Sequence, residues 1–563
     1  MPNFDPLKYS YASRRNVVYA KNGMCASTDP ITSQVGLDIL KAGGNAMDAA
    51  VAMASTLTLV ECTSNGMGSD AFALVWSAKD QKLYGLDASG FSPKAMSAQA
   101  ITDYKNKATG ATVATAGTAS MAGGSLMATD IPKDGWCPTM VPGAPSAWAQ
   151  MRRRFGTKEM PELLAPVIEL AREGFPVAVN IARQWPPAVK RFAPALAKEP
   201  EVIQPWFDLF TKNGEPYEAG EIFKSEDFAK TMESLAATDC ESFYRGEIME
   251  KIVEFSEKTG GFFCKEDFET YNAQWVEPIS VDYKGYTVCE IPPNGHGITA
   301  LMALNMLKGL DLPDDRDSSD SFHKQIETIK LAFVDTKKFV ADPRYMKTKV
   351  EDMLSERYAD IRRALITDKA IFPEAGDPSC GGTVYFATAD AEGNMVSFIQ
   401  SNYMGFGSGV VVPGTGISLQ NRGANFSMDP NHDNYLMGGK KAYHTIIPGF
   451  LCKDGKAVGP FGVMGGFMQP QGHLQVVVNT VDYHMNPQEC LDAPRFQWVG
   501  DLKLQLEREV PAHIAQDLAA RGHQVEIVNS NIGMGRGQII WRLENGTLVG
   551  GTEPRADGTI AAW

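Results

Sequence analysis

A layered α+β fold, with strands at both ends of the chain and helices between and around them, is the class this sequence predicts, and three stretches carry the prediction. The first is Gly23 to Pro93, which reads as a strand, a long amphipathic helix and two strands. Within it Gly66-Met67-Gly68-Ser69-Asp70 turns the chain into Ala71-Phe72-Ala73-Leu74-Val75-Trp76. The second runs from about residue 142 to 365 and is mainly helical. Ala144 to Arg154, Pro161 to Glu173, Ser225 to Ala237 and Ser321 to Phe339 are its helices, and they form the outer helical layers and a lobe. The third is Thr383 to Trp563, where strand signals return. Apolar residues alternate from Thr383 to Ala389, Asp390 to Asn394 is a turn, and Met395-Val396-Ser397-Phe398-Ile399 comes back as the hairpin partner. Helices follow at Gln469 to Asp482 and Ala512 to Arg521.

Composition excludes several functions. The chain has 563 residues, 44% hydrophobic and 21% charged, which is ample for a large core. A net charge of -14 argues against a surface that tracks nucleic-acid phosphates or an anionic membrane. Arg152-Arg153-Arg154 reads as a solvated helix face. Ala46 to Val60 is apolar but too short to span a bilayer, so it reads as a buried helix. The first residues, Met1 to Lys8, have neither a basic start nor an apolar run, which predicts a cytoplasmic protein. Nine cysteines without CxxC spacing fit reduced thiols better than a disulfide frame or zinc site. The eight histidines show no HExxH pattern, and Gly405-Phe406-Gly407-Ser408-Gly409 lacks the strand, helix and acid of a dinucleotide fold, so neither metal nor cofactor is expected.

Chemistry concentrates at Cys380-Gly381-Gly382-Thr383. Thr367 to Gly382 reads as a loop, and a threonine that opens a strand after two glycines reads as a self-cleavage site. Gly382 lacks a Cβ and adopts strained conformations cheaply. A cut before Thr383 leaves hydroxyl and amine on one residue, so nucleophile and base come together. The products would be residues 1–382 and 383–563, interleaved in one fold. Gly-Gly-Thr recurs at Gly550-Gly551-Thr552, but the turn-rich Glu553-Pro554-Arg555-Ala556-Asp557-Gly558 follows that copy. Gly465-Gly466, between strand-like Ala457 to Val463 and a helix beginning near Gln469-Pro470, offers backbone N–H groups for an oxyanion.

From Thr383 onward the chain resembles the small subunit of gamma-glutamyltransferases, which are N-terminal nucleophile hydrolases. The agreement runs through Asp390 to Val396, Phe406-Gly407-Ser408-Gly409, Gly416 to Asn421, Asn425-Phe426-Ser427, Gly465-Gly466 and Asp492-Ala493-Pro494-Arg495-Phe496. Gly36 to Ala52, Pro292-Pro293-Asn294-Gly295-His296-Gly297 and Ala341-Asp342-Pro343-Arg344-Tyr345 resemble the large subunit. The resemblance implies a four-layer αββα sandwich, cleavage between Gly382 and Thr383, Thr383 as nucleophile, Ser401 as its supporting hydroxyl and Gly465 and Gly466 as oxyanion donors. Many bacterial relatives are periplasmic, so a cytoplasmic member is a departure.

The substrate pocket departs further. Ser89 aligns with the family's carboxylate-binding arginine, Asn425 with the acid that grips the α-ammonium, Arg422 with its glutamine partner, His444-Thr445 with paired serines, and Tyr403 with an asparagine. Both ends of the amino-acid clamp change, and the ammonium corner becomes cationic. An acyl group carrying a carboxylate but no α-amine, as in glutaryl or oxamate-type amides, fits better, with water or an amine as acceptor. A true gamma-glutamyltransferase acting on glutathione is the alternative, and an unprocessed non-catalytic scaffold is the rival from another class. Phe426 to Pro448 is shorter than the lid-bearing stretch of many relatives, which favours hydrolysis over transfer.

Overall fold

The strand that Thr383 opens, Gly382–Asp390, pairs on one side with Gly23–Ser27 and on the other with Met395–Tyr403. This arrangement comes from a computed structural model that describes residues 15–109, 131–373 and 382–563. Of the loop expected at Thr367 to Gly382, residues 374–381 lie outside the described residues.

Seven antiparallel strands form this sheet. Across it lie Thr559–Ala562, Gly23–Ser27, Gly382–Asp390, Met395–Tyr403, Asp70–Ser77, Lys82–Ala88 and Gln274–Val276. A second seven-stranded sheet orders Val18–Ala20, Leu548–Thr552, Arg536–Arg542, Lys456–Met464, Gly449–Lys453, Tyr286–Glu290 and Ile279–Tyr283. The sheets face each other through Met24, Phe72, Leu74, Tyr385, Ile399, Phe450 and Ile540. Helices Ala46–Val60 and Ala144–Phe155 pack on the outside of the first sheet, and Gly297–Leu307 and Met468–Val481 on the outside of the second. The result is an αββα sandwich. Segments from both sides of the Gly382–Thr383 bond contribute strands to both sheets.

Two expectations are corrected. The long helix after Gly23 is two, Pro30–Lys41 and Ala46–Val60. Gly43 turns the chain at φ 85°, and Asn45 caps the second helix by accepting from the N–H groups of Met47 and Asp48. The mainly helical region also contains Gln274–Val276, Ile279–Tyr283 and Tyr286–Glu290, which are strands of the two sheets. Ile279-Ser280-Val281-Asp282-Tyr283 does alternate, but the strand is short and at a sheet edge, and longer helical signals flank it.

Every residue of Ala46–Val60 is buried, as its small-residue sequence allows. Asp390, at the far end of the Thr383 strand, accepts from the Ala46 N–H at 2.9 Å with one oxygen. Its other oxygen accepts from the N–H groups of Gly393 and Asn394 at 3.0 and 2.9 Å. One carboxylate thus closes the hairpin turn and sits at a helix N-terminus, which anchors the strand along its length. Arg153 and Arg154 are exposed, as expected of a solvated helix face, and Arg152 is half-buried; Arg153 pairs with Asp239 and Glu241, and Arg154 lies over Trp275 at 4.5 Å. Among the described residues no helix is long and apolar enough to cross a membrane.

A buried cluster holds residues 367–371, the stem that leads toward Thr383. His323 Nε2 donates to the Thr367 carbonyl at 2.8 Å, and His523 Nε2 meets His323 Nδ1 at 2.9 Å. Lys330 reaches Glu327 at 2.7 Å, the Ile371 carbonyl at 3.3 Å and His523 Nδ1 at 3.4 Å, while Glu327 accepts from the Ile371 N–H at 3.0 Å. Every polar hydrogen finds an acceptor when both imidazoles are neutral, and a further proton on either ring breaks the chain. Burial lowers both histidines, His523 to about 3. A folded pKa below the unfolded value of about 6.5 means that stability is full above pH 6.5 and is lost as pH falls toward 3. Wild-type protein is therefore expected to lose up to about 1.4 kcal/mol per pH unit from His523 alone in denaturant melts between pH 6.5 and 4. His523→Gln should flatten that dependence. Equal slopes in wild type and variant would remove the cluster as the cause.

Candidate active site

A bulge sets the geometry around Thr383. The strand pairing runs Val384 to Gln400 and then Gly382 to Tyr403, so Thr383 faces both Ser401 and Asn402 across one extra residue. Thr383 Oγ1 donates to Ser401 Oγ at 3.1 Å, and Ser401 Oγ also accepts from the Tyr403 N–H at 2.8 Å and from Arg422 Nη2 at 3.2 Å. Tyr403 takes the left-handed conformation, φ 76°, unusual for a bulky residue and one that the bulge imposes. Thr383 and Ser401 are buried.

Arg422 lies across the site. It sits in the short 3-10 helix Arg422–Asn425, stacks over the Tyr403 ring at 4.7 Å and donates Nη1 to Thr445 Oγ1 at 2.6 Å. Its relative exposure is 0%, its Nε has no hydrogen-bond partner, and among the described residues no carboxylate lies within 4.0 Å of it. Burial pulls its pKa down to about 10, opposed by the attraction of Asp70. A desolvated guanidinium with spare donors is a strong demand for an anion.

The other sequence-derived positions surround it. Asn425 donates to the Tyr443 carbonyl at 3.1 Å and leaves Oδ1 without a partner. Ser89 donates to Asp87 at 2.7 Å, and its Oγ lies 3.2 Å from Asn294 Oδ1. His444 Nε2 lies 3.0 Å from Asp70 Oδ2, with both side chains 1% exposed, and its backbone is held by the Asn294 carbonyl and the His296 N–H at 3.0 Å each. The Pro292 to Gly297 landmark is thus the backbone support of His444. Phe426 to Pro448 folds back on itself, with Leu436 N–H on the Ser427 carbonyl at 2.9 Å and Tyr443 N–H on Asn434 at 3.0 Å.

Gly465 and Gly466 end the strand Lys456–Met464 and precede the helix Met468–Val481 with φ of 137° and 58°, conformations that favour glycine. Neither N–H meets a backbone acceptor among the described residues. A Cβ on Gly465 would lie 3.1 Å from Gly535 Cα, and Arg495 holds the Gly535 carbonyl at 2.9 Å. Arg495 of the Asp492 to Phe496 motif is in this way a brace for the turn. Gln469 Oε1 accepts from the Ile447 N–H at 2.9 Å, which ties this turn to the His444-Thr445 segment.

Three charged residues of the site, Asp70, Asp87 and Lys441, carry no mark in the sequence. Asp70 accepts from the Gly90 N–H at 3.1 Å, and burial raises its carboxyl to about 7. Lys441 and Asp87 form a buried ion pair at 2.6 Å beside Ser89, and Asp342 accepts from the Lys441 N–H at 2.9 Å. Asp70 stands in a segment that reads only as a turn, and Lys441 in one that reads only for its length. No local pattern distinguishes either.

The gamma-glutamyltranspeptidase family model matches residues 32–563. A solved structure of cephalosporin acylase from Bacillus halodurans is 52% identical, with a TM-score of 0.91, covering 100% of this chain and 99% of that one. The glutathione hydrolase-like YwrD proenzyme of Bacillus subtilis (strain 168) is 33% identical over 543 residues, 95% of this chain and 97% of that protein. The oxamate amidohydrolase proenzyme of Klebsiella pneumoniae is 30% identical over 555 residues, 96% of this chain and 98% of that protein.

Proposed function

The chain belongs to the gamma-glutamyltranspeptidase family and is an amidohydrolase or acyltransferase acting on C–N amide bonds, and within that activity we propose that Thr383 is a self-released nucleophile acting on small amides whose acyl part carries a carboxylate. In processing, Thr383 Oγ1 attacks the Gly382 carbonyl carbon, the peptide C–N bond breaks with its proton on the Thr383 nitrogen, and water hydrolyses the ester. Residues 1–382 and 383–563 then remain as two chains of one fold. In turnover the freed amine, with an ordinary pKa of about 7.7 to 8.0, takes the proton of Oγ1 as it attacks the donor. Gly465 and Gly466 receive the tetrahedral oxyanion on their N–H groups. The proton passes to the leaving amine, and water or an amine releases the acyl group.

One observation carries the substrate class: a fully buried Arg422 that touches the partner of Thr383 and has, among the described residues, no carboxylate within ion-pair reach. The names of relatives, a cephalosporin acylase and an oxamate amidohydrolase among them, support a family that varies its acyl donor. The self-folded stretch Phe426 to Pro448 supports hydrolysis over transfer, and eight free cysteines among the described residues support a reducing, cytoplasmic location.

Purified wild-type protein is expected to give two masses, one fragment beginning at Thr383, and to hydrolyse glutaryl-p-nitroanilide. A single 61.2 kDa chain that still hydrolyses the amide would overturn the nucleophile assignment. Two fragments without glutaryl hydrolysis would overturn the substrate class alone.

A further inference from the structure

Among the described residues, the buried charges around Arg422 are already balanced before any substrate enters. Arg422 and Lys441 are the cations, Asp70 and Asp87 the anions, and all four are buried. Lys441 is tied to Asp87 at 2.6 Å, and Asp342 is matched by Arg344 at 2.6 Å. Asp70 faces His444 on one side and the Gln420 amide at 3.4 Å on another, and it feels Arg422, Asp87 and Lys441. Buried Tyr244 and Tyr271 also feel its charge. His444 faces Asp70, lies edge-on to the Phe72 ring at 4.8 Å and feels Arg422, His296 and Lys441. A donor carboxylate brought to Arg422 therefore adds an uncompensated negative charge to a sealed, neutral set. The low local dielectric makes that costly unless a proton follows.

Resting on the carboxylate-donor reading above, we propose that binding of an anionic acyl donor at Arg422 is coupled to uptake of one proton by the hydrogen-bonded Asp70–His444 pair, which makes the pair a specificity-determining element of the site. Asp70 balances the Arg422 charge from beyond ion-pair distance in the empty site, and its protonation leaves that charge to the incoming carboxylate. His444 keeps the hydrogen bond in either state, as donor to the carboxylate or to the carbonyl oxygen of the acid. An amide whose acyl part has no carboxylate displaces no charge and takes up no proton. With burial raising Asp70 to about 7, coupling is complete in mildly alkaline solution and fades below neutrality.

The test is calorimetric titration of the processed wild-type enzyme with glutarate at pH 8, in phosphate and in Tris, whose ionisation heats differ. The proposal expects close to one proton taken up per glutarate and an affinity that falls about tenfold per pH unit above Asp70's transition. Asp70→Asn should abolish the uptake and flatten the pH dependence. His444→Gln, which keeps a donor to Asp70, should retain the uptake and move the transition. Equal heats in the two buffers, with glutarate bound, overturn the proposal and leave the substrate class standing. Uptake that persists in Asp70→Asn assigns the proton to the Thr383 amine and overturns it as well. If Asp70→Asn does not fold, the two-buffer result on wild type and the His444→Gln transition decide. Wild type that fails to bind millimolar glutarate overturns both readings.

Discussion

Thr383→Ala is expected to stay a single 61.2 kDa chain and to lose amide hydrolysis by on the order of 10^4-fold or more, because the substitution removes the only atom that attacks in both processing and turnover. Ser401→Ala should behave differently. It leaves Oγ1 of Thr383 in place but takes away its acceptor and strands Arg422 Nη2, which now meets Ser401 at 3.2 Å. Loss of a charge-assisted hydrogen bond is worth about 1.5 to 3 kcal/mol, so both reactions should slow roughly tenfold to a hundredfold and still run to completion. Thr383→Ser keeps the hydroxyl and should still process. The measurements are intact mass against time after purification and kcat on a chromogenic amide. Full activity in Thr383→Ala would move the nucleophile elsewhere and revive the unprocessed-scaffold alternative.

The second large effect concerns the acyl group. Wild type should show a higher kcat/KM for a glutaryl amide than for the matching gamma-glutamyl amide. The gamma-glutamyl donor adds an α-ammonium, which must enter next to the Arg422 guanidinium, where the unpartnered Asn425 Oδ1 is a neutral acceptor and not a carboxylate. Removing a charge-assisted hydrogen bond, or turning it into a repulsion, costs about 1.5 to 3 kcal/mol, or about tenfold to 150-fold in kcat/KM. Arg422→Ala should cut the glutaryl reaction by that factor and move the gamma-glutamyl reaction much less. The ratio is the diagnostic quantity, because Arg422 also supports Ser401 and its loss lowers both rates together. A wild-type preference for glutathione or a gamma-glutamyl anilide would mean that other groups rebuild the amino-acid clamp. The Lys441–Asp87 pair beside Ser89 is the place to look for them.

How much was legible depended on the range of the interaction that decides each feature. The strand from Thr383, its turn and its return strand follow from alternation over a dozen residues, and the structure has them at Gly382–Asp390 and Met395–Tyr403. The fifteen small and apolar residues of Ala46–Val60 specify a buried helix on composition alone. The second Gly-Gly-Thr, Gly550-Gly551-Thr552, closes a strand where the first opens one, and the turn residues after it carried that difference. The short strands Ile279–Tyr283, at the sheet edge, and Tyr286–Glu290, beside it, were visible in principle but outweighed by helical neighbours.

By itself, then, the sequence pointed to the strands, the helices and the place of the candidate nucleophile, since each is written in residue type and short-range period, while the expected direction of the pocket changes came from the family resemblance. Only the tertiary structure decided what those residues touch. It committed Arg422 to Ser401 and Thr445, made Asp70 the partner of His444 across 374 positions and set Lys441 against Asp87 across 354. Contacts of that span leave no local periodicity, because the chain between them is free to vary while the packed sheets hold the two ends together. Burial did the rest: the same arginine on a surface would be a solvated charge of little consequence, whereas here it is fully buried with its Nε unpartnered, which favours an anion beside it.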